Sequence, residues 1–285
     1  MRTRATPDLA GNRVDNVLQI QYSRNVFPVF GLLDLLCPPI CPICNEVIED
    51  SAGKDEPICS DCVQKIITPD GKFCRRCGGR RFAVPNDTNE CSRCRTTEFR
   101  FNHVIALGEY ENDLRLLVLR MKTDKTGILA ISAAKILAIY RRTDFERVGA
   151  DYIMPVPMHR FRRKDRGVNS PDLLAEELGR QLKTPVARHL VRRIRQTDLQ
   201  YTLSRRARTE NVTGAFAVYT SNCWGKLGFQ QIQQSIVGKN VLLIDDILTT
   251  GSTCNEVTKV LLAIGVRSVT VAVLARAEGD TYQPQ

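Results

Sequence analysis

The chain has 285 residues, 43% of them apolar, enough to bury a sizeable core in one large or two smaller domains. Its formal charge of +10 favours polyanionic partners, nucleic acid or phosphorylated metabolites, without separating the two. The amino-terminal "MRTRATPDLAGNRVDNV" lacks the apolar run of a secretory signal, and the longest apolar stretch, "ILAISAAKILAIY", is short and broken by Lys135, which excludes membrane insertion and predicts a soluble cytoplasmic protein.

In chain order, residues 1–25 read as a loosely ordered arm, and 26–36, "VFPVFGLLDLL", as an apolar lead-in that could pack as a short helix on the cysteine-rich segment after it or on the main domain. Nine of the eleven cysteines fall between 37 and 94. Without an export signal, that density indicates metal ligation rather than disulfides. Four CxxC pairs stand in a row, Cys41/Cys44, Cys59/Cys62, Cys74/Cys77 and Cys91/Cys94, with gaps of 14, 11 and 13 residues between them. A two-residue gap lets both thiolates of a tight turn face one ion, so eight cysteines fit two closed, structural, four-sulfur zinc sites. Consecutive pairing gives a double zinc ribbon and alternate pairing a cross-brace, and the spacing accommodates both. Cys37 is a spare thiol or a substitute ligand. Between Cys37 and Cys94, eight Lys/Arg stand against nine Asp/Glu, so thiolates and zinc make this head, residues 26–98, negative and a poor nucleic-acid surface. It reads as a folding staple or a docking module.

Residues 99–285 read as a second, α/β domain. "FNHVIALGEY" predicts a strand, "NDLRLLVLRMK" and "GILAISAAKILAIYRR" helices, "DYIMPVP" a strand, and "SPDLLAEELGRQL" a helix with Pro171 in its first turn. "NVTGAFAV" and "NVLLIDDIL" follow as strands, "STCNEVTKVLLAIG" as a helix and "SVTVAVLAR" as the last strand. This alternation predicts a mainly parallel sheet with helices on both faces, binding ligand at the carboxyl ends of its strands. Residues 219–238 read as an insertion in which Cys223 and Trp224 pack locally, and His103, His159 and His189 as structural. Residues 160–208 hold fourteen Lys/Arg against five acids, a net +9 that accounts for nearly all of the chain's excess.

The most informative stretch is "VLLIDDILTTGST", residues 241–253. Its apolar run is buried on both faces and delivers Asp245 and Asp246 to the sheet's carboxyl edge. A helix opens directly afterwards, where Thr249, Thr250, Ser252 and Thr253 place hydroxyls around Gly251, a setting for a monophosphate. One sugar's length away, the carboxylates can accept hydrogen bonds from a vicinal diol or help to hold Mg²⁺. A ribose 5-phosphate group meets both demands.

This stretch resembles the PRPP-binding signature of type I phosphoribosyltransferases. Two further segments, "MPVPMHRFRRKDRGVNSPDLLAEEL" and "RIRQTDLQYTLSRRARTENVTGAF", are similar to the competence protein F (ComF) family, in which a cysteine-rich head precedes a phosphoribosyltransferase-like domain. The resemblance spans roughly residues 30–276. "RGVNSP" departs from the aromatic residue and Gln that the family shows after Arg-Gly, which weakens any base stacking at Val168. By the resemblance, Arg160, Arg163, Lys164 and Arg166 face the pyrophosphate of PRPP and Arg208 acts from the second loop. The surplus of cations suits single-stranded nucleic acid along an extended groove, through Arg162, Arg163, Arg166, Arg192, Arg193, Arg195 and Arg205. The family implies handling of single-stranded DNA in natural transformation, beside a competence helicase. A turnover reading stays open, in which Asp245 and Asp246 are catalytic and stabilise an oxocarbenium-like ribosyl carbon with Mg²⁺, as does a PRPP sensor without turnover.

Overall fold

The computed structural model describes residues 38–48, 58–69, 73–80, 91, 94, 97–158, 169–188, 190–195, 210–219 and 234–277. The expectations for the 1–25 arm, the 26–36 lead-in, Cys37, His159, Val168, His189, Cys223 and Trp224 lie outside them, as do Arg160, Arg162, Arg163, Lys164, Arg166, Arg205 and Arg208. Pro39–Gln285 forms one compact unit. Among the described residues no helix is long and apolar enough to cross a membrane.

After a short helix in the cysteine-rich segment, α1 (Ser60–Ile66), come β1 (His103–Glu109), α2 (Asn112–Thr123), α3 (Ile128–Tyr140), α4 (Arg142–Val148), β2 (Tyr152–Pro155) and α5 (Ser170–Leu182). They are followed by β3 (Val191–Arg193), β4 (Phe216–Val218), β5 (Asn240–Leu248), α6 (Ser252–Ala263) and β6 (Ser268–Arg276). Four strands make one sheet in the order β1-β6-β5-β2, with every pairing parallel.

Strand side chains alternate between faces, and burial on both sides requires apolar residues at successive positions. The run in β5 meets that condition, with Leu242, Leu243 and Ile244 at 0% exposure, each contributing about 1.5–3 kcal/mol. Ile105, Ile153, Leu242, Ile244 and Ala272 belong to one core with residues of α2, α3, α4 and α5. Val104, Met154, Val241, Leu243 and Val271 belong to a second core with residues of α6, β3 and β4. In α2, Leu114, Leu117, Val118 and Met121 are buried at helical spacing, which is why this segment is a helix rather than a strand.

Two readings are corrected. The strand expected over 211–218 is shorter and does not join the parallel sheet: Phe216–Val218 pairs antiparallel with β3. Its fate depended on the partner three-residue β3, too short to show a period. The helix expected to run through Arg142 stops at Tyr140, and α4 begins anew. At the break Arg141 is only 4% exposed, donating from Nε to Ala106 O at 2.8 Å and from Nη2 to Leu107 O at 2.9 Å and to Thr68 O. The guanidinium supplies donors to the buried carbonyls of Ala106 and Leu107 in β1, sharing the second with Thr68 N.

The cysteine-rich segment covers the rest of that edge. Val104 N donates to Arg75 O at 2.8 Å and Thr68 N to Leu107 O at 3.1 Å. Cys41 and Cys62 join the core under α2, whereas Cys74 and Cys77 join the core under α6. The head therefore straddles the edge strand, one cysteine group to each core.

Candidate ribose-phosphate site and cysteine clusters

The eight cysteines gather as Cys41, Cys44, Cys59, Cys62 and as Cys74, Cys77, Cys91, Cys94, each group with its sulfurs within 4.8 Å of one another. Pairing is thus consecutive, and the cross-brace is excluded. Sulfur separations of 3.7 Å for Cys44–Cys59, 3.8 Å for Cys74–Cys94, 3.4 Å for Cys77–Cys91 and 3.6 Å for Cys91–Cys94 match the value of about 3.8 Å that a tetrahedral ion with 2.3 Å metal–sulfur bonds requires. The donor set fits zinc.

Both knuckles are built alike. Cys41 O accepts from Asn45 N at 2.8 Å and Cys74 O from Gly78 N at 2.7 Å, with Asn45 and Gly78 in the left-handed region at φ 63° and 68°. Gly78 is also required sterically, because a Cβ there would lie 2.6 Å from Val104 Cγ1.

At the carboxyl end of β5, Asp245 and Asp246 emerge partly exposed. Each folds back on the next amide: Asp245 Oδ1 accepts from Asp246 N at 2.9 Å and Asp246 Oδ1 from Ile247 N at 2.8 Å. Asp245 Oδ2 lies 4.0 Å from the buried Cys254 Sγ, and Asp246 Oδ2 lies 3.9 Å from Lys122 Nζ in the last turn of α2. Burial, with the charge of Asp246 next, pushes the Asp245 carboxyl well above the ordinary range, and Lys122 counters in part. The acid pair is poised to gain from a cation or a set of hydroxyl donors.

The loop after the strand turns through Gly251, at φ 83°, into α6. Thr250 Oγ1 and Ser252 Oγ are 2.8 Å apart, and Ser252 N donates to Thr250 Oγ1 at 3.3 Å. Thr249 and Thr253 flank them on the chain, so the five residues read from sequence as a phosphate loop are brought together at a helix amino end, where first-turn amides lack helical partners. Gly251 lies against stacked Phe99 and Phe101, whose ring centroids are 4.9 Å apart. A Cβ on it would meet Phe99 Cε1 at 3.2 Å and Phe101 Cζ at 3.5 Å. Gly251→Ala combines that crowding with a left-handed backbone costing about 1–2 kcal/mol. We expect the variant to melt about 2–8 °C lower in thermal scans, with zinc content unchanged.

Of the basic residues placed on a nucleic-acid surface, Arg192 is exposed and stands 5.5 Å from the Tyr219 ring, and Arg193 stands 5.4 Å from that of Phe216. Arg195 Nη2 donates to Asn211 O at 3.0 Å and Thr213 O at 2.9 Å, holding the turn before β4. Gly214 N in turn donates to Glu256 Oε2 on α6 at 3.1 Å, tying this ribbon to the helix that opens at the phosphate loop. Sequence reasoning missed Lys122, Glu256, Phe99, Phe101 and the buried Arg276. Only the aromatic spacing "FRF" carried a signal.

Comparison with known proteins adds independent findings. The Phosphoribosyl transferase domain family matches residues 174–285 and the Double zinc ribbon domain family residues 32–95. Competence protein F of Haemophilus influenzae is 30% identical over 224 residues, covering 77% of this chain and 90% of that protein. DNA utilization protein YhgH of Escherichia coli is 28% identical over 246 residues, covering 85% and 99%. Competence protein ComFC of Bacillus subtilis is 27% identical over 222 residues, covering 74% and 80%.

Proposed function

The chain belongs to the competence protein F family, and from that premise we propose that it binds PRPP with Mg²⁺ at the end of β5, binds single-stranded DNA on its basic segment, and serves DNA uptake. One observation carries the ligand reading: an acid pair near the carboxyl end of a buried strand is followed, after Ile247 and Leu248, by a hydroxyl-rich turn through Gly251 at the amino end of α6. Asp245 and Asp246 take the ribose diol and help to hold Mg²⁺, which offsets pyrophosphate charge. Residues 249–253 take the 5′-phosphate. Two zinc ions close the cysteine clusters. A competence helicase partner and a cytoplasmic location follow from the same reading.

Turnover is a second reading, favoured by Lys122, whose ammonium stands beside Asp246 at the sheet edge. A screen of nucleobases for PRPP consumption decides between turnover and binding alone. Calorimetry of zinc-loaded protein with PRPP and magnesium tests the ligand, and absence of heat removes it.

For DNA, affinity for a labelled single strand is expected to fall steeply between 50 and 200 mM salt, by roughly 300-fold if about six phosphates are neutralised. Replacing Arg162, Arg163 and Arg166 together is expected to flatten that dependence. Unchanged affinity in the triple variant moves the DNA surface elsewhere.

A further inference from the structure

We propose that the second four-cysteine knuckle is the platform that holds the phosphate loop in shape, with Arg276 and Arg76 as the positioning residues; this rests on the reading that residues 249–253 receive a phosphate. Arg276 ends β6 and is 2% exposed. Its Nε donates to Cys77 O at 3.0 Å, inside the knuckle, while Nη1 donates to Leu248 O at 2.6 Å, to Thr249 O and to Ala277 O. One guanidinium thus joins the metal-site turn to the passage from β5 into the loop. Burying such a cation costs several kcal/mol unless its donors are met, and charge-assisted bonds to these carbonyls meet that demand.

The orientation of those carbonyls matters for the ligand. A planar trans peptide points its N–H opposite to its C=O. Drawing Leu248 O and Thr249 O onto Arg276 therefore aims the amides of Thr249 and Thr250 away from it, as a concave anion site requires. The knuckle leaves no slack in this arrangement: a Cβ on Gly78 would lie 3.3 Å from Arg276 Cδ.

Arg76, one position before Cys77, acts on the loop through the aromatic pair that Gly251 lies against. It donates to Phe99 O, Phe101 O and, at 3.3 Å, Asn102 O, and its guanidinium stands 6.0 and 5.9 Å from the Phe99 and Phe101 rings. Those rings are the surface on which Gly251 rests. The entry of the loop and its helix cap are both fixed from a single CRRC turn.

The test uses zinc-loaded, full-length Arg276→Lys, which keeps charge but loses the fork, and Arg76→Gln, whose partly exposed site tolerates the change. Both are expected to retain two zinc ions per chain. Hydrogen exchange of peptides covering 248–254 is expected to speed up tenfold or more, while 241–244 and 269–273 stay protected, and PRPP·Mg affinity to drop tenfold or more. Loop exchange unchanged in both variants, or loosening spread evenly over the sheet, overturns the proposal. If the unsubstituted protein binds no PRPP, the phosphate assignment falls alone and loop exchange still decides the platform.

Discussion

The double variant Asp245→Asn/Asp246→Asn is expected to stay folded and to lose PRPP·Mg affinity by about 10²–10⁴. In the proposed contact each carboxylate would contribute charge-assisted hydrogen bonds worth about 1.5–3 kcal/mol, and every 1.4 kcal/mol is about tenfold in affinity. The fold survives because an amide keeps the Oδ1 acceptors that Asp246 N and Ile247 N use at 2.9 and 2.8 Å. Calorimetry reads the loss, and a drop below about threefold would remove the carboxylates from the ligand's contacts.

Stability should move the other way in the single Asp245→Asn variant. The Asp245 carboxyl is raised by burial and by the charge of Asp246, so its ionised form costs stability above that raised value. The cost fades as pH falls through the raised value toward the ordinary carboxyl range, where wild type and variant both carry a neutral group. Thermal melts are therefore expected to favour Asp245→Asn at pH 7, with the gain shrinking on acidification. Those two outcomes together, a gain in stability and a loss of binding on removing the charge, would mark a site shaped for a ligand rather than for folding.

What could be read in advance was whatever is contiguous in the chain. The strand, acid pair and Thr-Thr-Gly turn of 241–253 are neighbours in sequence, so local rules of burial, capping and glycine freedom reach them. Eight cysteines at fixed gaps are legible for the same reason, but both pairings satisfy those gaps. The choice came from the fold, which brings Cys44 to Cys59 and Cys77 to Cys91. Arg276 and Arg141 were illegible because a cation's burial depends on carbonyls from distant segments: Cys77 lies 199 positions before Arg276, and Thr68 lies 73 before Arg141. Residues 216–218 carry a strand's composition, but composition does not name a partner, and β3 claimed them. Lys122 was one of 41 basic residues until α2 carried it to Asp246.

Cys77→Ser is expected to cut zinc from two ions per chain to one and to lower the melting temperature by about 10–20 °C, reflecting a loss of about 4–5 kcal/mol. Serine is too short and too hard a donor to replace a thiolate on zinc, and among the described residues the cluster has only its four cysteines. Cys77 is 0% exposed within the core shared with Phe99, Val104 and α6, and its sulfur accepts from Gly79 N at 3.4 Å. The opened knuckle therefore exposes β1 and Arg276 as well as itself. Cys44→Ser, at an exposed ligand of the first cluster, should also cost one zinc but less stability, because Cys44 is not part of either core. Metal analysis with thermal melts before and after chelation checks both. A protein purified metal-free, whose melting does not respond to chelator, would show that the cysteine clusters hold no structural ion and that the knuckles stand on their backbone hydrogen bonds alone.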